Sequence, residues 1–345
     1  MDKNIEKNTP LVSVLMCVYN GDKYVEEAVA SVLSQTYTNF EFIIINDGST
    51  DNTALKLSLF DDVRINHVSN ETNKGLIASL NIGLLIAQGD YIARMDADDI
   101  CFPERLKKQV DFFRLNPSVG VCGSNMSIIG ADNKYEFSTS HDAIKVAMLD
   151  NNPMAHSSVM FNNKLFKKYN LQYDSLYKGA EDYELWSRAI TRLTFANIPQ
   201  ALLQYRVHNE QVTQNNKNIV STTTQKVKLN MLRQFEIYPT ERQQVIHLFL
   251  FDYQYKEQRG LAILQETDEW LYQLYMANKK LSIIKPALFF AMWRTKIFVT
   301  AIAQYNLAIW KILKKSYCFQ YANVPLALKV KLYIKCLIKR RVGNN

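Results

Sequence analysis

Beyond Glu269 the chain contains no aspartate or glutamate, although residues 270–345 hold 14 lysines and arginines. The remaining 27 basic and 33 acidic residues leave 1–269 at −6, so the overall +8 conceals a basic tail on an acidic body. Such asymmetry calls for a negatively charged partner, either an anionic membrane surface or a nucleic acid. Cysteine is also sparse. Cys17, Cys101, Cys122, Cys318 and Cys336 are scattered with no CxxC pair, which argues against a zinc site or a disulfide framework and fits a reducing compartment. Residues 1–10 are polar and charged, unlike a secretory signal, so a cytoplasmic location is expected. Nor is there an apolar run near the roughly 20 residues that a membrane span requires. In the basic tail the runs Pro286 to Trp293 and Ile297 to Ala303 are separated by Arg294 and Lys296. Two phosphate-binding signatures are missing as well. The lack of GxGxxG after the first strand argues against a dinucleotide dehydrogenase, and the lack of GxxxxGK[ST] excludes a P-loop NTPase.

What is present is a folded chain of 345 residues, 48% apolar and 12% aromatic, large enough for one big core or two domains. Leu11 to Val18 is a short apolar run rich in β-branched residues, which reads as a buried strand. Asp22 is expected to cap a helix over Lys23 to Gln35. Strands follow at Phe40 to Ile45, Val63 to Val68 and Asp90 to Met95, with helices after the second strand and at Gly75 to Ala87. Strands alternating with helices at this spacing predict an α/β fold with a mostly parallel sheet flanked by helices. Ligands of such sheets bind outside the carboxyl ends of the strands. Tyr19-Asn20, Asn46-Asp47 and Asp96-Ala97-Asp98-Asp99 each follow a strand directly, so all three should meet at one edge.

The last of these groups is the most telling. Three carboxylates within four residues repel one another unless a cation or a hydrogen-bond network holds them, and a hard divalent ion suits them. The plain alternative is a solvated acidic turn ahead of the helix that starts near Pro103. That helix, Glu104 to Leu115, should stop at Asn116-Pro117. A strand is expected at Val119 to Gly123, a hairpin over Ser127 to Ser138, and a strand at His156 to Phe161 with an ordinary, satisfied histidine as the bland reading. Gly179-Ala180-Glu181-Asp182-Tyr183-Glu184-Leu185-Trp186 opens a helix whose acidic first turn could simply favour the helix dipole.

Taken together, Val14 to Asn20, Ile45 to Asp51, Asn73-Lys74-Gly75 with Asn81 and Gly83, Gly89 to Ile92 and Asp96 to Asp99 resemble the family 2 glycosyltransferases with the GT-A fold, over about residues 10–215. The resemblance implies an inverting, metal-dependent, non-processive enzyme that uses a nucleotide sugar, expected to be UDP-linked. Asp96 to Asp99 corresponds to the DXD motif. Val18, Tyr19, Asn20, Asp47, Lys74, Asp96, Ala97 and Arg206 would then bind the donor, with Asp47 on the base, Asp96 near the ribose and Arg206 on the diphosphate. Asp98, and by position His208, would hold Mn²⁺ or Mg²⁺. Gly179 to Trp186 matches the family's ED-Y-x-LW motif, which makes Asp182 the general base, with His156, Glu181 and Trp186 on the acceptor side. Gln204 to Thr213 is similar to the family's YRxH-type ending. The departure is Leu80, which stands where the family often has arginine and puts the donor contacts of that helix in question. The chain also lacks the QxxRW motif of processive polysaccharide synthases.

The expected organisation is an extension at 1–10, a GT-A domain at 11–218 and a helical, basic region at 219–345. Helices are anticipated at Lys226 to Phe235, Thr240 to Gln258 and Gly260 to Leu281. A tail of lysine, tryptophan, phenylalanine and leucine without acid suits a helix lying at an anionic membrane surface. Solvated lysines on a helical domain, pairing of two chains, or nucleic acid are the alternatives, the last without a recognisable motif. The enzyme would then work peripherally at the inner face of the cell membrane, on a glycan or lipid-linked acceptor such as those of surface polysaccharide assembly. A catalytically silent sugar-nucleotide-binding scaffold is the competing reading.

Overall fold

The computed structural model describes residues 9–208, 217–252, 261–302 and 307–342. The chain divides into two compact units, residues 1–144 with 152–224, and residues 145–151 with 225–345.

The first unit is built on one mixed sheet. Among the described residues its strands are β1 (Val12–Val18), β2 (Phe40–Asn46), β3 (Ile65–Ser69), β4 (Tyr91–Asp96), β5 (Ile100–Cys101), β6 (Val119–Ile128), β7 (Lys134–Tyr135), β8 (Met160–Asn162) and β9 (Thr194–Tyr205). Their order is β3-β2-β1-β4-β8-β6-β9-β5, with β7 paired to β6. β3, β2, β1 and β4 run parallel, as the alternation of strands and helices predicts. β8 lies antiparallel between β4 and β6, and β5 antiparallel on β9, so the second half of the sheet is not parallel throughout.

Helices α1 (Val25–Leu33), α2 (Thr53–Ser58), α3 (Leu76–Ile86) and α4 (Arg105–Leu115) connect the early strands. The apolar face of α1 that periodicity predicts is buried at Val25, Ala28, Val29 and Val32. Helix α3 lies so close to β1 that a Cβ on Gly83 would meet Leu15 Cδ1 at 2.1 Å, which is why glycine stands there. The helices α5 (His141–Ala147), α6 (Asn163–Lys168) and α7 (Glu181–Ala189) follow later in the chain.

Two local expectations are corrected. Asp22 does not cap α1, whose N-cap is Tyr24 with no side-chain bond; the Asp22 N–H instead donates to Asp51 Oδ2 at 3.1 Å, tying the loop after β1 to the loop after β2. His156–Ser158 forms a 3-10 turn and only Met160–Asn162 is strand, because Ser158 turns back to bond the Ala155 carbonyl. The hairpin expected over Ser127 to Ser138 pairs only Met126 with Tyr135 and Ser127 with Lys134.

The second unit is helical. Its helices are the later part of α8 (Lys217–Met231), then α9 (Glu241–Phe251), α10 (Leu261–Leu281), α11 (Pro286–Ile302), α12 (Leu307–Lys315), α13 (Tyr317–Tyr321) and α14 (Leu326–Val342). Thr240 and Gln243 form a capping box that starts α9. The helix expected to run from Thr240 to Gln258 is described only to Phe251, since residues 253–260 lie outside the described residues. Buried Asp268 accepts the N–H groups of Tyr317 and Cys318 at 2.5 and 2.9 Å, and so starts α13 from a neighbouring helix. Trp270, Trp293 and Phe289 are fully buried, so the aromatics at helical spacing are core. Among the described residues no helix is long and apolar enough to cross a membrane.

Candidate active site

The parallel register sets the site's position. Val18 pairs with Asn46 and Cys17 with Asp96, so β1, β2 and β4 end level with one another and their following loops open on the same edge of the sheet. The loop after β4 carries the acidic cluster. Asp96, Asp98 and Asp99 present carboxylate oxygens that all lie within 4.8 Å of one another. Asp99 is fully buried; its Oδ1 accepts the Arg206 N–H at 3.0 Å and Oδ2 has no hydrogen-bond partner among the described residues. Burial, with the charges of Asp96 and Asp98 behind it, pushes the Asp99 carboxyl up to about 8. Burial also raises Asp96, against the pull of Arg94.

The short β5–β9 ladder explains how residues a hundred positions later reach this loop. Ile100 pairs with Gln204 and Cys101 with Leu203, which sets Arg206 and His208 beside Asp98 and Asp99. His208 Nε2 lies 2.9 Å from Asp98 Oδ2, while its buried Nδ1 has no partner among the described residues. Arg206 Nε donates to the Asp98 carbonyl at 2.8 Å, its Nη2 reaches Glu27 Oε2 at 2.5 Å, and the guanidinium lies 4.4 Å from the Tyr24 ring centre. In this arrangement Arg206 braces the acidic loop against α1. The rest of the motif beginning at Gln204, from Asn209 to Thr213, lies outside the described residues.

Asp47 is 2% exposed and its carboxylate accepts three hydrogen bonds. Asn70 Nδ2 and the Lys74 N–H donate to Oδ1 at 2.7 and 3.0 Å, and the Gly75 N–H donates to Oδ2 at 2.8 Å. Burial works against its charge, but these donors and Ser79 outweigh it and hold the carboxyl below the usual range. Asp47 therefore anchors the loop 70–75, on which Lys74 is exposed. Gly48 carries a φ of +69°, and a Cβ there would meet the Thr72 carbonyl carbon at 2.5 Å, so the two loops touch through backbone. Tyr19 is 47% exposed, Val18 is buried, and Asn20 Oδ1 accepts the Thr50 N–H at 2.8 Å. Leu80 is buried, and Asn81 instead links α3 to the Tyr173 backbone through two bonds of 2.9 Å.

On the side toward α7, Asp182 Oδ2 accepts Asn152 Nδ2 at 2.7 Å and Oδ1 the Tyr183 N–H at 2.7 Å. Burial first, and then the neighbouring charge of Glu181, push the Asp182 carboxyl up to about 7. Glu181 is buried; its Oε2 accepts the Gly179 N–H at 2.6 Å, and burial raises its carboxyl too. His156 Nε2 lies 2.8 Å from the Tyr173 hydroxyl, and burial with nearby Arg94 drives the imidazole well below its ordinary value, so it is neutral. Trp186, expected on the acceptor side, lies one layer behind His156. It is fully buried among Phe161, Phe166 and Phe195, and its ring is core packing that supports His156 from behind.

Arg94 is the group that the motifs pass over. It is 3% exposed, pairs with Asp96 Oδ1, and acts electrostatically on His156, Tyr173, Glu181 and Asp182. It is thus a buried cation that acts on both the acidic loop and the α7 carboxylates. The sequence did carry a signal for it: an arginine inside the apolar run Tyr91 to Met95, two residues before Asp96 and therefore on the same face of the strand. Asn152 and Tyr173 had no such signal, because only tertiary contact makes them partners of Asp182 and His156.

The family model described as glycosyl transferase family 2 matches residues 13–177. An uncharacterized glycosyltransferase from Haemophilus influenzae (strain ATCC 51907 / DSM 11121 / KW20 / Rd) is 37% identical over 236 residues, 64% of this chain and 73% of the relative. The O-antigen biosynthesis glycosyltransferase WbnJ from Escherichia coli is 30% identical over 215 residues, 58% of this chain and 81% of that protein. Among solved structures, S. aureus TarS 1–349 in complex with UDP-GlcNAc superposes with a TM-score of 0.58 at 17% identity, covering 84% of this chain and 88% of TarS, a likeness of fold.

Proposed function

The chain belongs to glycosyl transferase family 2 and is a glycosyltransferase, and on that premise we propose that it transfers one sugar from a UDP-sugar to a hydroxyl of a glycan or lipid-linked acceptor, with inversion at the anomeric carbon. The observation that carries this reading is one buried cation, Arg94, that pairs with Asp96 of the acidic loop and acts electrostatically on the Asp182 carboxylate.

Inversion needs a base on the face of the sugar opposite the leaving group. Asp182 takes the proton of the acceptor hydroxyl as that oxygen bonds to the anomeric carbon, and the bond to the diphosphate breaks with its electron pair remaining on the phosphate oxygen. A carboxyl held near 7 is matched to this task at neutral pH, and Asn152 and the Tyr183 N–H keep its two oxygens oriented. Asp47, by holding the loop 70–75, shapes the space for the nucleoside, with Val18, Tyr19, Asn20 and Lys74 around it and Asp96 and Ala97 toward the ribose.

A divalent metal fits the residues present. The unpartnered Asp99 Oδ2, the crowding of Asp96, Asp98 and Asp99, and His208 Nε2 against Asp98 form a hard, electron-rich donor set short of positive charge. We assign Asp98 and His208 as the residues that would hold Mn²⁺ or Mg²⁺. When bound, the ion supplies countercharge to the leaving diphosphate. Arg206 would join the diphosphate.

The relative WbnJ acts in O-antigen biosynthesis, which makes surface polysaccharide assembly the setting we favour, with the basic tail resting on the inner face of the membrane. TarS was solved with UDP-GlcNAc, so UDP-GlcNAc is the first donor to try. The test is nucleoside diphosphate release from a panel of nucleotide sugars, with and without acceptor. Turnover dependent on divalent metal and abolished by Asp182→Asn is expected; unchanged turnover in that variant overturns the assignment of the base.

A further inference from the structure

Helix α14 leaves an apolar face uncovered. Leu326, Val330, Tyr333 and Ile334 recur at helical spacing and are 76%, 47%, 39% and 47% exposed. That pattern ordinarily faces a core. Beside it opens a cleft of about 380 Å³ that Trp310 of α12 and Phe319 of α13 share with Leu326, Val330 and Tyr333. The Trp310 ring centre lies 5.9 Å from Phe319 and 5.1 Å from Tyr333. Lys314 and Lys329 also line the cleft, and Lys329 Nζ is 5.0 Å from the centre of the Phe319 ring.

We propose that this cleft binds one anionic phospholipid of the membrane, its phosphate on Lys314 and Lys329 and part of its acyl chain against Trp310, Phe319 and the stripe of α14. The proposal rests on the reading of the basic tail as membrane-facing and assigns that contact to a particular place. The choice of occupant follows from the chemistry. A soluble anion has no use for aromatic walls, and an uncharged apolar ligand has no use for two lysines. An anionic amphiphile uses both. The volume is within the range of sites that take small molecules. The field agrees as well, since none of the residues lining the cleft is acidic, neighbouring Asp268 is buried with its carboxylate taken up by the Tyr317 and Cys318 N–H groups, and Lys331 and Lys335 are exposed on α14. Tryptophan and tyrosine, apolar rings with a polar tip, are the side chains that favour the bilayer interface.

The four tryptophans make the test selective, because Trp186, Trp270 and Trp293 are no more than 2% exposed while Trp310 is half-buried at the cleft. The full chain is mixed with vesicles of phosphatidylcholine alone or with added phosphatidylglycerol, each also with acyl chains brominated to quench tryptophan. We expect quenching with the anionic brominated vesicles, its loss in Trp310→Phe, and binding weakened about tenfold or more in Lys314→Ala/Lys329→Ala, two surface changes that spare the core. Vesicle binding without quenching overturns the cleft while leaving the membrane reading in place. No binding to any vesicle overturns both, whereas donor turnover, measured in parallel, reports on the transferase reading alone. A concentration-dependent dimer whose formation is blocked by Trp310→Ala, with lipid unbound, would assign the cleft to a second copy of the chain and also overturn the proposal.

Discussion

As the proposed base, Asp182 has a charge that the chemistry would use and that its burial makes costly to the fold. Its carboxyl titrates near 7 when folded, against about 4 in an unfolded chain. A folded value above the unfolded one means that protonation favours the fold: the contribution is fully present below about pH 4 and is lost as pH rises through 7. Catalysis runs the other way, because a base must be unprotonated. Activity should therefore fall below about pH 7, and the pH profile of kcat/KM should show that limb. Asp182→Asn should lower turnover by about 10²–10⁴-fold while raising stability by up to about 4 kcal/mol at pH 8, about three pKa units at about 1.4 kcal/mol each, with little gain at pH 4; thermal unfolding at the two pH values measures this. Arg94 has no such conflict. Arg94→Met leaves Asp96 without its partner and should destabilise the protein by about 3 kcal/mol, the low end for a broken buried pair because Asp96 keeps some contact with water. Denaturant unfolding would detect the loss.

At the level of elements, loops divide into those held by side chains and those held by backbone. The loop 70–75 depends on Asp47, so Asp47→Ala should raise the KM for donor about tenfold or more while kcat changes less, read in steady-state kinetics. Asp268 plays the comparable part in the helical unit, where its removal strands two N–H donors at the start of α13. Asp268→Ala should cost about 2 kcal/mol in denaturant unfolding without altering the KM for donor. Strand and helix order was legible in the sequence because apolar runs and helical periodicity are local. What was not legible is where a polar side chain spends its hydrogen bonds. Asp22 looked like a helix cap and uses its backbone on Asp51, and Trp186 belonged to a functional motif and fills the core. The position of His156 on a turn, and of Arg206 on Glu27, likewise depends on residues far away in sequence.

For the whole molecule the acidic cluster is an unfavourable accumulation of charge, and whatever cation relieves it must stabilise the fold by mass action. Mn²⁺ or Mg²⁺ should raise the Tm of the wild-type protein in a concentration-dependent way, and Asp98→Ala should abolish the shift; calorimetry with a chelator as control measures both. The two units divide the roles. One carries the sheet edge with its carboxylates, and the other carries the acid-free helices from α11 onward.

By itself the sequence determined the family, the α/β alternation and the charge polarity of the chain, since each is written in short-range pattern or composition. It also determined that Asp47, Asp96 and Asp98 stand at strand ends. Tertiary structure alone decided that β5 on β9 brings Arg206 and His208 to the acidic loop, that buried Arg94 pairs with Asp96 and acts on the Asp182 charge, and that Asn152 holds the Asp182 carboxylate. The reason is physical. A pKa or an ion pair depends on burial and on distances across the sheet, and a one-dimensional pattern specifies neither until the strands are paired.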